Sequence, residues 1–537
     1  MQARLWQLMV VAIALVMALP MIVAVAALGA DSAGVWSHIV EYVLPRVTVN
    51  TLLLVVGVAV LSLLLGTIAA WLTSVFDFPG QRWFAWCLML PLALPGYVTA
   101  FALSGVFEYS SPLAGALRFW GISLPGVSAG LASTLCLTLT LYPYVFLLAR
   151  QAFLSQGRRS LEVAQSLGMR QARGMWRVAL PFARPWLVAG VSLVIMETLA
   201  DFGTVKVFNF DTFTTAIYSA WFGLFSLTAA LQMSLCLLVL VVAALWLERR
   251  ARRLRRYTGV GQKDPQHRLP LTGGRRWLAT CFCGGLFVIA FLVPVGQLVV
   301  WAIDYVQLEW SARYWSYLRA SVSLATFAAV FVALLSVLLG FGRRRAPGRT
   351  TDSAVQVSTL GYALPGTVLA VGFFVALSGV QDGLTAIGRA LGAGDAFVVT
   401  LTGTLWVMLL AYAARFLAVG FSPVGSGFER ISPRIDDTAE ILGLRGVKRL
   451  RQVYLPLLTP GIATALLLVF VDVMKELPIT LITRPFGWDT LSVRIFQMTT
   501  EGEWQRASIP ALTIVLCGLI PVMILQRQKS NSRGATN

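Results

Sequence analysis

The sequence predicts an all-α polytopic membrane protein, with about twelve transmembrane helices in two parallel pseudo-repeats of six. Three observations lead there. Of the 537 residues, 57% are hydrophobic and 12% charged, and apolar runs of the roughly 20 residues needed to cross a bilayer recur along the chain. Those runs are too long and continuous for the short alternating strands of a membrane barrel. A polar, basic segment also occurs twice at a fixed offset of 275 positions.

The first run, about 5–28, ends in Val25-Ala26-Ala27-Leu28-Gly29-Ala30, which imitates a signal-peptidase site. It exceeds the roughly 7–15-residue core of a signal peptide and reads as an uncleaved anchor. The second span covers 47–75 and the third 83–107. Leu94-Pro95-Gly96 lies inside the third, where proline removes a backbone donor and marks a kink. The fourth covers 128–154, the fifth 186–203 and the sixth 226–247. In the second half the spans fall at 277–303, 318–341, 355–378, 397–419, 461–479 and 507–525. There Leu364-Pro365-Gly366 answers the first Leu-Pro-Gly at an offset of 270. The expected organisation is a first half at 1–247, a basic cytoplasmic linker at 248–276, a second half at 277–526 and a cytoplasmic tail at 527–537. Six is even, so the halves share one orientation and the repeat is parallel.

The formal charge of +19 invites a nucleic-acid reading, which placement excludes. Most of the 43 Lys and Arg fall on loops of one side, the positive-inside signature. That side is cytoplasmic, with both termini on it. The run Arg249, Arg250, Arg252, Arg253, Arg255 and Arg256 reads as an anchor at the lipid headgroups. The six cysteines lie in or beside apolar runs without redox or zinc spacing, and His38 and His267 are predicted on opposite sides. No metal site is assigned.

The duplicated segment reads SLEVAQSLGMRQARGMWRVALPFARP at 160–185 and SPRIDDTAEILGLRGVKRLRQVYLPLLTP at 432–460. The offset of 275 places Glu162 on Asp437, Ala164 on Ala439, Gly168 on Gly443 and Leu180-Pro181 on Leu455-Pro456. Ser160 and Ser432 are expected helix caps, with acidic residues in the first turn. Gly168 and Gly443 suit the left-handed residue that ends a helix. Ala164 and Ala439 are expected to leave a small surface for a partner. The pattern resembles the EAA loop of binding-protein-dependent ABC importer permeases, here at 158–185 and 430–460. Asp437 replaces the usual glutamate, and Val163 and Thr438 stand where alanine is commoner. The resemblance implies the type I importer permease fold, with each loop a coupling helix seated on a separate ATPase subunit.

The spans after those loops carry Glu197 and Asp201, four apart, and Asp472 and Glu476 at the same spacing and offset. Isolated charges in a bilayer face cavities, so the four are candidate linings of a substrate pathway. Lys475 neutralises part of the second pair. The Asp-Phe-Gly of 201–203 with the aromatics after it, and the stretch 90–118, are similar to ferric-iron-type permeases with two fused halves. Fe³⁺ prefers oxygen ligands, which Tyr97, Tyr142, Tyr144 and Tyr218 also offer, without any being assigned. No G-x-x-x-x-G-K-[ST] phosphate loop is present, so the chain is read as a transport subunit without its own ATPase site and without a cofactor. The resemblance implies ATP and Mg on two copies of a cytoplasmic ABC ATPase, and a periplasmic or extracellular substrate-binding protein. Location is the bacterial inner membrane. Thiamine, polyamine, thiosulfate and phosphonate are alternative solutes, and an ion-gradient secondary transporter is the alternative class.

Overall fold

A computed structural model of the chain describes residues 2–29, 34–108, 111–120, 126–166, 169, 174–253, 268–392, 397–444 and 446–520. In a bilayer each segment must satisfy its own backbone polar groups, which leaves helices. Among the described residues ten helices are long and apolar enough to cross, and the bent pair Gln81–Ala93 with Gly96–Phe107 makes eleven. The main helices are α1 (Gln2–Ala26), α2 (Leu44–Val75), α3 (Gly96–Phe107), α4 (Ala129–Ser166), α5 (Leu180–Ala200) and α6 (Leu227–Arg253). They continue with α7 (Val293–Glu309), α8 (Ala312–Arg345), α9 (Gly366–Ala390), α10 (Leu405–Arg430) and α11 (Leu455–Met474). The shorter apolar helix α12 (Ser508–Ile520) follows. The one strand pairing among the described residues joins Phe76–Asp77 to Leu269–Pro270 in parallel.

Prolines shape the spans. The residue before a proline is pushed out of the α region, and Leu94 and Leu364 have ψ of 120° and 138°. The third span is therefore a pair bent by 99°. The ninth differs from the expected 355–378: Arg349–Thr359 is a separate short α-helix, Leu360–Ala363 a tight 3-10 turn, and the long apolar helix starts only at Gly366 and runs to Ala390. Pro181 and Pro456 sit in the first turns of α5 and α11, each preceded by a wide π turn, Met175–Ala179 and Leu450–Tyr454. The repeat thus extends to backbone irregularities.

The chain forms two compact units, neither contiguous in sequence. One combines Met1–Ile39, Ala216–Leu238 and Trp310–Gln497. Its centre is α8, α10 and α11, and α1 lies along α8, α9 and Arg349–Thr359. Trp6 meets Phe341 edge to face at 4.7 Å. The other combines Val40–Thr215 and Val239–Glu309 with α12. Its centre is α2, α4 and α5, and the helix Gly274–Phe287 with α7 lies against Gln81–Cys87 and α3.

Candidate coupling loops and capped joints

The second candidate loop is built by one proline and one glycine. Pro433 cannot continue α10, so the chain turns at Ile431 and restarts as the helix Pro433–Ile441, with the Ser432 hydroxyl accepting from Arg434 N–H. Gly443, at φ 72°, ends it. Gly443 N–H donates to the Glu440 carbonyl and Leu444 N–H to that of Ala439, closing the terminus. Asp437 is exposed, and Ile441 and Leu442 are 86% and 69% exposed, an apolar tip at the loop's end. Ala439 is 3% exposed. Its small side chain serves packing within the loop, not the open surface expected from the sequence.

A polar latch holds this loop. Asp436 accepts from Arg344 (2.7 Å) and the Tyr454 hydroxyl, and Arg449 lies 3.7 Å away. Arg344 also donates to the Phe428 and Ser432 carbonyls, at 2.8 and 3.3 Å. Arg449, 1% exposed, donates to the Leu444 carbonyl at 2.9 Å. Sequence reasoning placed Asp436 in the first turn of the capped helix but missed Arg344, Arg449 and Tyr454 as its partners. The signal available was Asp436 itself, a second acidic residue in the capped turn.

The first loop differs. Ser160, Glu162 and Ala164 lie inside α4, which runs unbroken to Ser166, so Ser160 is not at a helix start. The cause is visible at the offset of 275, where Arg158 stands in place of Pro433. Gly168 lies outside the described residues.

The four intramembrane carboxylates divide into two kinds. Asp201 follows the last residue of α5 with extended ψ of 130° and turns back onto the short helix Gly203–Val207. It accepts from Val205 N–H (3.2 Å) and the Thr204 hydroxyl (2.9 Å). Glu476, 6% exposed, does the same for Pro478–Thr483, accepting from the N–H groups of Ile479 (3.0 Å) and Thr480 (3.2 Å). Both carboxylates are therefore committed to the orphan donors of a helix start. The spacing of four does not put them on one face with Glu197 and Asp472, because α5 and α11 have ended.

Each unit builds a joint around its cap. A Cβ on Gly96 would run into Thr204 Oγ1 and approach Asp201 Oδ2 at 3.3 Å. One on Gly366 would sit 2.8 Å from Glu476 Oε1 and 3.3 Å from the Arg415 guanidinium. The glycine of each Leu-Pro-Gly break is thus what lets the broken span seat on the cap. Thr214 donates to the Asp201 carbonyl (2.6 Å), and Ser492 to that of Glu476 (2.9 Å). The following segments are tied by Phe213 N–H to Thr51 and by Leu491 N–H to Ser321. The joints differ in charge. Arg415 supplies a cation beside Glu476, whereas Thr140 holds that place by offset and Glu197 is the charge acting on Asp201. Glu197 and Asp472 are half-buried, and Asp472 pairs with Lys475 at 2.9 Å.

Residues 62–253 and 334–529 match the family described as binding-protein-dependent transport system inner membrane component. The chain belongs to that family. It is 27% identical to the Fe(3+)-transport system permease protein FbpB 2 of Haemophilus influenzae over 489 residues, 89% of each chain. It is 33% identical over 219 residues to the putative 2-aminoethylphosphonate transport system permease protein PhnV of Salmonella typhimurium, 41% of this chain and 76% of that one. A bacterial alginate ABC transporter crystallised with its pentasaccharide-bound periplasmic protein aligns at 15% identity and a TM-score of 0.34, over 47% of this chain and 93% of that one.

The protein is thus a multi-pass permease of an ABC importer, and its two family repeats bracket the two joints. What this permease's residues do chemically is modest. They hold backbone in place, present an apolar tip and leave two half-buried carboxylates. Among the described residues no group of three or more His, Cys, Asp or Glu is placed to hold a metal ion. Of the four tyrosines that offer oxygen ligands, Tyr142 is a packing residue, 0% exposed and donating to the Leu88 carbonyl.

Proposed function

We propose that this permease imports ferric iron by alternating access, driven by two copies of a cytoplasmic ABC ATPase and loaded by a periplasmic or extracellular binding protein. The observation that carries the solute is similarity to a ferric-iron permease over 89% of both chains, which takes in both halves of the fused layout. ATP and Mg belong to the partner subunits. Glu162, Ala164 and Gly168 in one loop, and Asp437, Ala439 and Gly443 in the other, form the coupling elements. The exposed Ile441–Leu442 tip supports that role, because an apolar patch on a polar loop is a docking surface. Both termini lie in the cytoplasm. ATP binding draws the two loops together and opens the pathway outward, and hydrolysis resets it; nucleotide and loaded binding protein each favour one state.

Glu197 and Asp472 line the substrate pathway, with Asp201 and Glu476 setting the geometry of the helix ends that carry them. A phosphonate reading draws on the 33% identity to the 2-aminoethylphosphonate permease and on Lys475, whose charge suits an anion. Uptake of radiolabelled iron and of 2-aminoethylphosphonate, in a strain with and without this permease and its ATPase, separates the two. Iron uptake that persists without the ATPase overturns the mechanism; phosphonate uptake without iron uptake overturns the solute.

A further inference from the structure

The face of the second unit where α2, α5 and α6 diverge encloses a groove of about 780 Å³. Its wall is a helical stripe on α5, Leu180, Leu187, Val191 and Ile195 among its residues, faced by Leu240 and Ala244 of α6 and by residues of α2. The stripe from Leu180 to Leu199 spans roughly 28 Å at ~1.5 Å per residue, close to the ~30 Å depth of a bilayer's hydrocarbon. Apart from Ser192 the wall between the ends is aliphatic, which suits neither a metal ion nor a polar solute. Two charges mark one end, Arg184 and Glu248. Arg184 is exposed and has no hydrogen-bond or ion-pair partner among the described residues. At that end α6 also runs on through Arg249, Arg250, Arg252 and Arg253.

We propose that this groove is a binding site for an anionic phospholipid of the cytoplasmic leaflet. Its acyl chain lies along the α5 stripe and its phosphate is held by Arg184. Charge complementarity names the occupant. Among the described residues Glu248 is the one acidic residue lining this mouth. Against it stand the unpaired Arg184 and the four arginines that follow on α6, a net positive mouth on an apolar groove that fits a negative headgroup on a hydrocarbon tail. A zwitterionic lipid fills the groove equally well but gains less at its mouth. The site shares Leu180, Pro181 and Arg184 with the end of the first loop at 158–185, and is independent of the identity of the solute.

The test uses the full-length protein in nanodiscs of phosphatidylcholine doped with phosphatidylglycerol, with bound lipid counted by native mass spectrometry after release into detergent. Phosphatidylglycerol is expected to be retained in preference to phosphatidylcholine. Arg184→Ala is expected to cut that preference about fivefold, the effect of one basic residue near a membrane surface, and Arg184→Lys to keep most of it. Val191→Trp, which fills the groove and leaves Arg184 in place, is expected to abolish retention of both lipids; an unchanged monodisperse elution profile shows that it is folded. Equal retention of the two lipids by the parent protein overturns the proposal, as does retention unaffected by Val191→Trp. A photo-crosslinker at Val191 that captures a polypeptide in place of lipid also overturns it.

Discussion

Replacing Glu476 by Gln tests whether the capping carboxylates are structural, and the two joints provide the control. Glutamine keeps the length of the side chain and one carbonyl oxygen for the Ile479 or Thr480 N–H, but removes the charge facing Arg415. Arg415 retains the Leu364 carbonyl at 3.2 Å and loses its counter-charge. Breaking a buried pair in direct contact costs roughly 3–5 kcal/mol, whereas Arg415 acts on Glu476 through its charge without a direct ion pair. Because Arg415 is also only partly buried, we expect about 1–2 kcal/mol. In the other joint Asp201→Asn leaves no cation behind, and Asn caps helix starts about as well as Asp, so its expected cost is below about 1 kcal/mol. SDS-titrated unfolding of both variants in mixed micelles measures the difference. The double variant E476Q/R415M is expected to recover part of the loss, since the two residues share one interaction. Equal destabilisation by the two single variants, or no recovery in the double one, would refute the cap-and-counter-ion reasoning.

Gly443→Asp places a side chain at φ 72°, at a cost of roughly 1–2 kcal/mol; transport is expected to fall while ATPase activity persists and membrane levels hold, and normal coupled transport removes the docking role. Asp436→Asn strips the latch of its charge and leaves Arg449, 1% exposed, without its carboxylate at that site. Faster proteolysis within 430–454, with a loss of about 2 kcal/mol, is expected, and wild-type protection would show the latch to be incidental. Glu197→Gln combined with Asp472→Asn is expected to lower solute flux several-fold while leaving ATPase association intact, and unchanged flux returns both residues to a packing role.

The membrane class, the family and most spans were legible because length, apolarity and proline act locally. Pro433 and Gly443 fix the helix Pro433–Ile441 of the second candidate loop wherever the rest of the chain goes. The first copy shows the limit: Ser160 resembles a cap, but without a proline the helix has no reason to stop. The carboxylates misled in the same way. A spacing of four implies one face only while the helix lasts, and Asp201 and Glu476 lie just beyond the ends of α5 and α11. The corrective signal was local too, a carboxylate followed by Thr204 or by Pro478 and Thr480, the pattern of a helix start. The grouping of α1 with α8 and α9 left no local trace, because a lipid-facing helix is apolar on every side and carries no stripe pointing at a partner.

That grouping sets a schedule for synthesis. α1 leaves the ribosome long before the helices it packs on, which begin at Ala312 and Gly366. At ~5–20 residues per second, close to 300 residues of waiting is roughly 15–60 s in the bilayer without its neighbours. Cutting the gene at the linker would put α1 on a different polypeptide from α8. Joining the halves in one reading frame guarantees one copy of each per molecule, and spares the early helix a search among strangers.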